Sequence, residues 1–143
     1  MKGLILYLCI ALNSSALQPM RIQIDNIRSI KGSIRIAVYN TAAGFLQDEH
    51  IIFRKSVAAT EVNGNTLEMD LKELPEGVYA VAVYHDLNNN GQIDKNMMGI
   101  PTEPYAFSNG AGGKWKAPVF SEAAIKLSDK TRLQLKLKYW KEY

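Results

Sequence analysis

From Arg21 to the C-terminus, apolar and polar residues alternate with a period of two, the pattern of β-strands that bury one face. Ile22 and Ile24 alternate with Gln23 and Asp25, and Ile34, Ile36 and Val38 alternate with Ser33, Arg35 and Ala37. These segments predict the first two strands, joined by a tight turn across Ser29 to Gly32. Thr41 to His50 is polar, contains Gly44 and reads as a connection, with Phe45 folded back onto the core. Residues 51–59 form a weaker strand candidate. Beyond the turn signal Asn63-Gly64-Asn65, Leu67, Met69 and Leu71 alternate with Thr66, Glu68, Asp70 and Lys72.

Leu74-Pro75-Glu76-Gly77 is the next turn, where proline fixes φ and glycine permits φ > 0. The following segment, Val78 to His85, is apolar on both faces, as expected of a central strand. Ala123, Ile125 and Leu127 predict another strand, Ser128-Asp129-Lys130 a turn, and Leu133, Leu135, Leu137 and Tyr139 the last strand. No stretch carries a helical stripe. About seven short strands separated by turn residues predict an all-β chain, a single antiparallel β-sandwich of immunoglobulin-like or transthyretin-like kind with one long ordered loop.

With 143 residues and 47% hydrophobic content, the chain suits one compact domain, placed over residues 20–143. Ahead of it, Lys2, an apolar run from Leu4 to Leu12 and the small residues Ser14-Ser15-Ala16 read as a signal peptide over residues 1–16, cleaved after residues 16–18. The run is about half the roughly 20 apolar residues that span a bilayer, so no transmembrane segment is expected in the mature chain. Cys9, the only cysteine, lies inside the leader behind Tyr7 and Leu8, a poor setting for lipid attachment. A mature chain without cysteine excludes disulfides and thiol chemistry. The net charge of +3 is small and its basic residues are dispersed, which argues against nucleic acid as a partner. The expected location is periplasmic or secreted.

The segment that raises a chemical question follows the central strand: Asp86-Leu-Asn88-Asn-Asn90-Gly91-Gln-Ile93-Asp94. Oxygen-bearing side chains at the first, third, fifth and ninth positions, with glycine at the sixth, repeat the spacing of an EF-hand calcium loop. The ligands would be Asp86, Asn88, Asn90, the backbone carbonyl of Gln92, and Asp94. The twelfth position is Met97 instead of a bidentate glutamate, and Glu103 is the candidate to replace it. Gly99 and Pro101 exclude an exiting helix. Such a site would bind calcium weakly, on the order of 10⁻⁴ to 10⁻³ M, as extracellular modules do. The same asparagines also suit a metal-free turn in which each side chain bonds the backbone two residues on.

His85, Asp86 and Glu103 form an alternative set, for a metal-dependent hydrolase, but the other histidine, His50, is distant in sequence and a catalytic zinc takes three protein ligands. Ala106-Phe107-Ser108-Asn109-Gly110 resembles a nucleophile elbow without its context, since both histidines precede the serine and no strand-turn-helix is predicted there. The expected role is therefore non-enzymatic. The loop from Asp86 to Pro118 exceeds the roughly 12–15 residues of an ordinary connection. Phe107 and Phe120 are expected to be buried, while Trp115, Tyr105 and His85 make up a candidate ligand surface for an unidentified protein or carbohydrate.

A longer series of residues carries a resemblance: Gly77-x-Tyr79-Ala80, His85-Asp86-x-Asn88-x-Asn90-Gly91-x-x-Asp94, Gly99-Ile100-Pro101-x-Glu103, Phe107-Ser108-Asn109 and Pro118-x-Phe120-x-x-Ala123. It resembles the domain of unknown function 2141, a family of exported bacterial proteins, across nearly the whole mature chain. Ala106 and Leu87 depart from that pattern, which usually has glycine before Phe107 and often an acidic residue after Asp86. The turn Leu74-Pro75-Glu76-Gly77-Val78-Tyr79 also looks like those of transthyretin-like sandwiches. The resemblance implies an export signal and a β-sandwich, and it assigns no activity.

Overall fold

The computed structural model describes residues 17–113, 115–128 and 131–143. The predicted leader and Cys9 lie outside these residues, as do Lys114, Asp129 and Lys130.

Eight strands are formed among the described residues: β1 (Leu17–Asp25), β2 (Ser33–Tyr39), β3 (Phe53–Ala58), β4 (Leu67–Pro75), β5 (Gly77–Asp86), β6 (Tyr105–Phe107), β7 (Ile125–Leu127) and β8 (Arg132–Lys136), with one short helix, α1 (Phe120–Ala123). They build a three-stranded sheet in the order β4-β1-β8 and a five-stranded sheet in the order β3-β2-β5-β6, with β7 paired to β5. The alternation in sequence explains the packing. Met20, Ile22 and Ile24 of β1 and Leu133 and Leu135 of β8 face Ile34, Ile36 and Val38 of β2 and Val81 and Val83 of β5 in one continuous core. Each such side chain, fully withdrawn from water, contributes about 1.5–3 kcal/mol before conformational entropy is counted against it.

Three expectations are corrected. β1 and β2 are not a hairpin: β1 pairs with β4 and β8, and β2 pairs with β3 and β5. The chain between them crosses from one sheet to the other, because a period of two specifies the buried face and not the neighbouring strand. The sandwich is not wholly antiparallel, since Ile22 and Ile24 of β1 run parallel to Leu133 and Leu135 of β8. Ala123 lies in α1 instead of a strand, and β7 begins at Ile125.

The larger sheet is apolar on its outer face as well. Ala37, Ala82 and Phe107 are paired in register across β2, β5 and β6. They belong to a second cluster with Tyr39, Phe45, Ala80 and Phe120, in which the Phe45 ring meets Tyr39, Phe107 and Phe120 edge-on. The expected anchor at Phe45 is present, on the outer side of this sheet. β5 is thus packed at Ala80 on its outer face as well as along its inner face, in keeping with its continuous apolar sequence.

Candidate functional site

The last residues of β5 set the site. Alternation directs Val81, Val83 and His85 inward and Ala82, Tyr84 and Asp86 outward. On that outer face Arg35, from the adjacent strand, reaches Asp86: its Nε donates to Oδ2 at 2.6 Å. The Asp86 side chain is fully buried while that of Arg35 is 31% exposed, so the cation stands between the carboxylate and solvent. Asp86 also accepts the backbone N–H groups of Asn90 at Oδ1 (3.1 Å) and Gly91 at Oδ2 (2.9 Å). One carboxylate therefore turns the chain out of the strand and back over itself.

The loop continues the same device. Asn88 Oδ1 accepts the N–H of Asn90 and Asn90 Oδ1 accepts that of Gln92, at 3.1 and 3.0 Å. Asn89 and Gly91 take positive φ values of 59° and 83°, conformations that asparagine and glycine tolerate best. The amide nitrogens of Asn88 and Asn90 donate to Asp94, at Oδ2 (2.6 Å) and Oδ1 (2.7 Å). Asn88, Asn90 and Asp94 are thus brought together at the surface, with Asp86 behind them.

Glu103 is placed differently from the sequence expectation. It is 3% exposed, and its Oε1 and Oε2 accept the backbone N–H groups of Leu87 (2.8 Å) and Asp94 (3.0 Å). It staples the start of the loop to its far end, with both oxygens directed at the backbone. Beyond Asp94 the chain forms a small hairpin. Thr102 N–H donates to the Asp94 carbonyl, Asn96 N–H to that of Ile100 and Gly99 N–H to that of Asn96, leaving Met97 and Met98 exposed at its tip. The long connection also contains β6, a strand absent from the sequence reading because three residues carry almost no periodicity.

Of the candidate ligand surface, His85 is 1% exposed and points inward, and its Nε2 donates to the Lys31 carbonyl at 2.7 Å. A carbonyl can only accept, so this nitrogen carries the proton. His85 is therefore not a surface residue, and it does not join Asp86 and Glu103 in a cluster. Tyr105 is 8% exposed, stacked on Tyr143 at 4.9 Å. Trp115 is 84% exposed and meets Trp140 edge-on at 5.7 Å. Ser108 is buried: its hydroxyl accepts the Val81 N–H and donates to the Ala123 carbonyl, so it ties β5 to the end of α1.

Sequence reasoning missed what lies between the loop and Trp115. A groove of about 900 Å³ runs over the outer face of the larger sheet, with Ala37 and Ala82 in its floor. Tyr84 and Phe107 rise beside them, Met98 and Ile100 of the loop close one side, and Trp115 and Lys116 stand on its rim. Burial pushes the Tyr84 hydroxyl up to about 12, reinforced by Asp86 and Glu103 and opposed by Arg35, so this phenol remains a neutral donor. The space above the floor comes from alanine at outward positions 37 and 82, which the fold sets side by side on neighbouring strands.

Among the described residues, no three of His, Cys, Asp and Glu assemble into a metal-holding group. Nor is any helix long and apolar enough to cross a membrane.

Residues 22–134 match the family described as "Uncharacterized protein conserved in bacteria (DUF2141)". The match extends from β1 into β8 and includes the whole loop, and the chain, itself an all-β sandwich, belongs to this family. No curated protein and no solved structure matches the chain.

Proposed function

We propose that this chain is an exported, non-enzymatic binding domain whose loop over residues 86–104 is tightened by a calcium ion and forms one wall of a ligand groove. The observation that carries the reading is the wrapping of the loop. Asp86 gathers the N–H groups of Asn90 and Gly91, and Asn88 and Asn90 each accept an N–H two residues on. The chain thus has the curvature of an alternate-residue cation loop. Asp94 is met by two neutral amides, and turning each oxygen toward a cation would bring three oxygen-bearing side chains to one place, the ion replacing the N–H contacts that the Asn88 and Asn90 oxygens then give up. Asp86 and the Gln92 carbonyl complete the set, while Glu103 stays behind as the backbone staple. With Asp86 shared with Arg35, the affinity is weak, on the order of 10⁻⁴ to 10⁻³ M.

The non-enzymatic part is supported by the separation of His85 from the loop carboxylates and by the commitment of both Glu103 oxygens to backbone N–H groups. Export rests on the sequence of residues 1–16. A second reading, a structural domain with a metal-free turn, is favoured by one observation: every carboxylate oxygen of Asp86, Asp94 and Glu103 already accepts a hydrogen bond.

Thermal unfolding in chelator, in calcium and in magnesium separates the two. Calcium at ten times a millimolar dissociation constant stabilises by about 1.4 kcal/mol, an increase in Tm of about 5 °C. Magnesium should leave Tm unchanged, and Asp94→Ala should abolish the calcium response. Equal melting in chelator and in about 10 mM calcium would establish the metal-free turn instead.

A further inference from the structure

The groove over the larger sheet has a chemistry of its own, and the following inference rests on its being the ligand site. We propose that it takes a long-chain carboxylate, with the acyl chain along the alanine floor and the carboxylate at the basic rim.

The floor disfavours the main alternative, a sugar. Ala37, Ala82 and Phe107 lie side by side across three strands and place no polar side-chain atom on the central row. A sugar laid on that row would set hydroxyls against alanine and leave them only the side walls, such as the Tyr84 phenol, as partners, whereas an alkyl chain loses nothing to the same surface. The volume of about 900 Å³ is within the roughly 300–1,000 Å³ of small-ligand sites. At the rim, Met98 and Trp115 are 81% and 84% exposed, large apolar side chains that such a ligand would cover.

The charges at the rim then select the head group. Arg54, Lys55, Lys95 and Lys116 line the groove, against Asp48 and Asp94. None of those four cations takes part in the salt bridges formed among the described residues. Arg35, the fifth, is neutralised by Asp86. The Asp94 oxygens are occupied by the Asn88 and Asn90 amides. The balance is positive, and it surrounds an apolar trough. That combination complements a single anionic group at the end of a hydrocarbon chain.

The test is displacement of the neutral fluorophore N-phenyl-1-naphthylamine from the protein, carried out in chelator, where calcium soaps cannot form. Laurate should displace it, decanoate should be about tenfold weaker for its two missing methylene groups, and dodecanol at least tenfold weaker than laurate. Arg54→Gln combined with Lys116→Gln should bring laurate to within about threefold of dodecanol. Ala82→Leu and, from the neighbouring strand, Ala37→Leu should each fill the trough and block laurate, with unchanged thermal unfolding as the control for folding. If the fluorophore binds and is blocked by the leucine variants but laurate competes no better than dodecanol, the groove stands and the carboxylate is wrong. If neither fluorophore nor laurate binds in chelator and the neutral fluorophore also fails to bind in about 10 mM calcium, or if laurate binds equally to a folded leucine variant, the groove is not the site.

Discussion

Gly32 packs against the carbonyl of Asp86 so closely that a β-carbon at position 32 would lie 1.9 Å from the Asp86 oxygen. The glycine has φ +71°, a conformation that side chains disfavour independently of space. It belongs to the crossing between the two sheets, so this contact seats the start of the loop after β5 on the scaffold. Gly32→Ala should lose at least about 2 kcal/mol, from the clash and the strained φ together. Gly64→Ala is the control, since Gly64 has a similar φ of +70° and open space around it. It should lose only about 1–2 kcal/mol. Urea unfolding of both variants measures the difference.

Glu103 is the staple whose removal should free the loop without disturbing the sheets. Glu103→Ala leaves the N–H groups of Leu87 and Asp94 without their acceptors, at about 1–3 kcal/mol each when they stay buried. Amide hydrogen exchange should accelerate at Leu87 and Asp94 and remain slow at Val81 and Val83 in the middle of β5. Equal acceleration throughout β5 would mean global destabilisation and not release of the loop.

Arg35 and Asp86 should be unequal partners in mutation. Arg35→Ala leaves the buried carboxylate with two backbone donors, so a loss of about 2 kcal/mol is expected, below the roughly 3–5 kcal/mol of a fully buried broken pair. Asp86→Ala removes the acceptor from Arg35, Asn90 and Gly91 together and should lose more. Chemical denaturation of the two single variants and the double variant gives the coupling energy, which should exceed about 1 kcal/mol.

Asp25 should make the smaller sheet sensitive to acid. Hydrogen bonds from Gln134 and Gln23, joined by Thr66 and helped by Lys136, hold its carboxyl below the usual carboxylate range despite partial burial. A pKa lower in the folded than in the unfolded chain means stability that is complete above the unfolded value and is lost as pH falls through the folded one. Asp25→Asn should therefore flatten the acid side of the stability profile between the ordinary aspartate pKa and lower pH. Denaturation midpoints at a series of pH values for both proteins provide the comparison.

The strands and their buried faces were legible because Ile34, Ile36 and Val38 or Leu133 and Leu135 fix a period of two without ambiguity. Their partners were not, because the parallel neighbourhood of β1 and β8 depends on contacts more than a hundred residues apart in sequence. At the loop, spacing located Asp86, Asn88, Asn90 and Asp94 as one unit, and the fold gathers them. The roles of His85 and Glu103 were hidden, since strand phase sends the first inward and backbone donors capture the second. Arg35 and the Ala37–Ala82 floor escaped notice because single polar or small residues on an outward face carry no pattern until a neighbouring strand is in place.

Backbone amide chemical shifts recorded while calcium is added to chelator-treated protein address the loop most directly. Saturable changes confined to residues 86–94, with those of β1, β4 and β8 unmoved, and absent with magnesium, are the expected result. Unchanged loop amides up to about 10 mM calcium would contradict the ion-tightened loop and leave the Asp86 and Glu103 clamp as the whole explanation of its order.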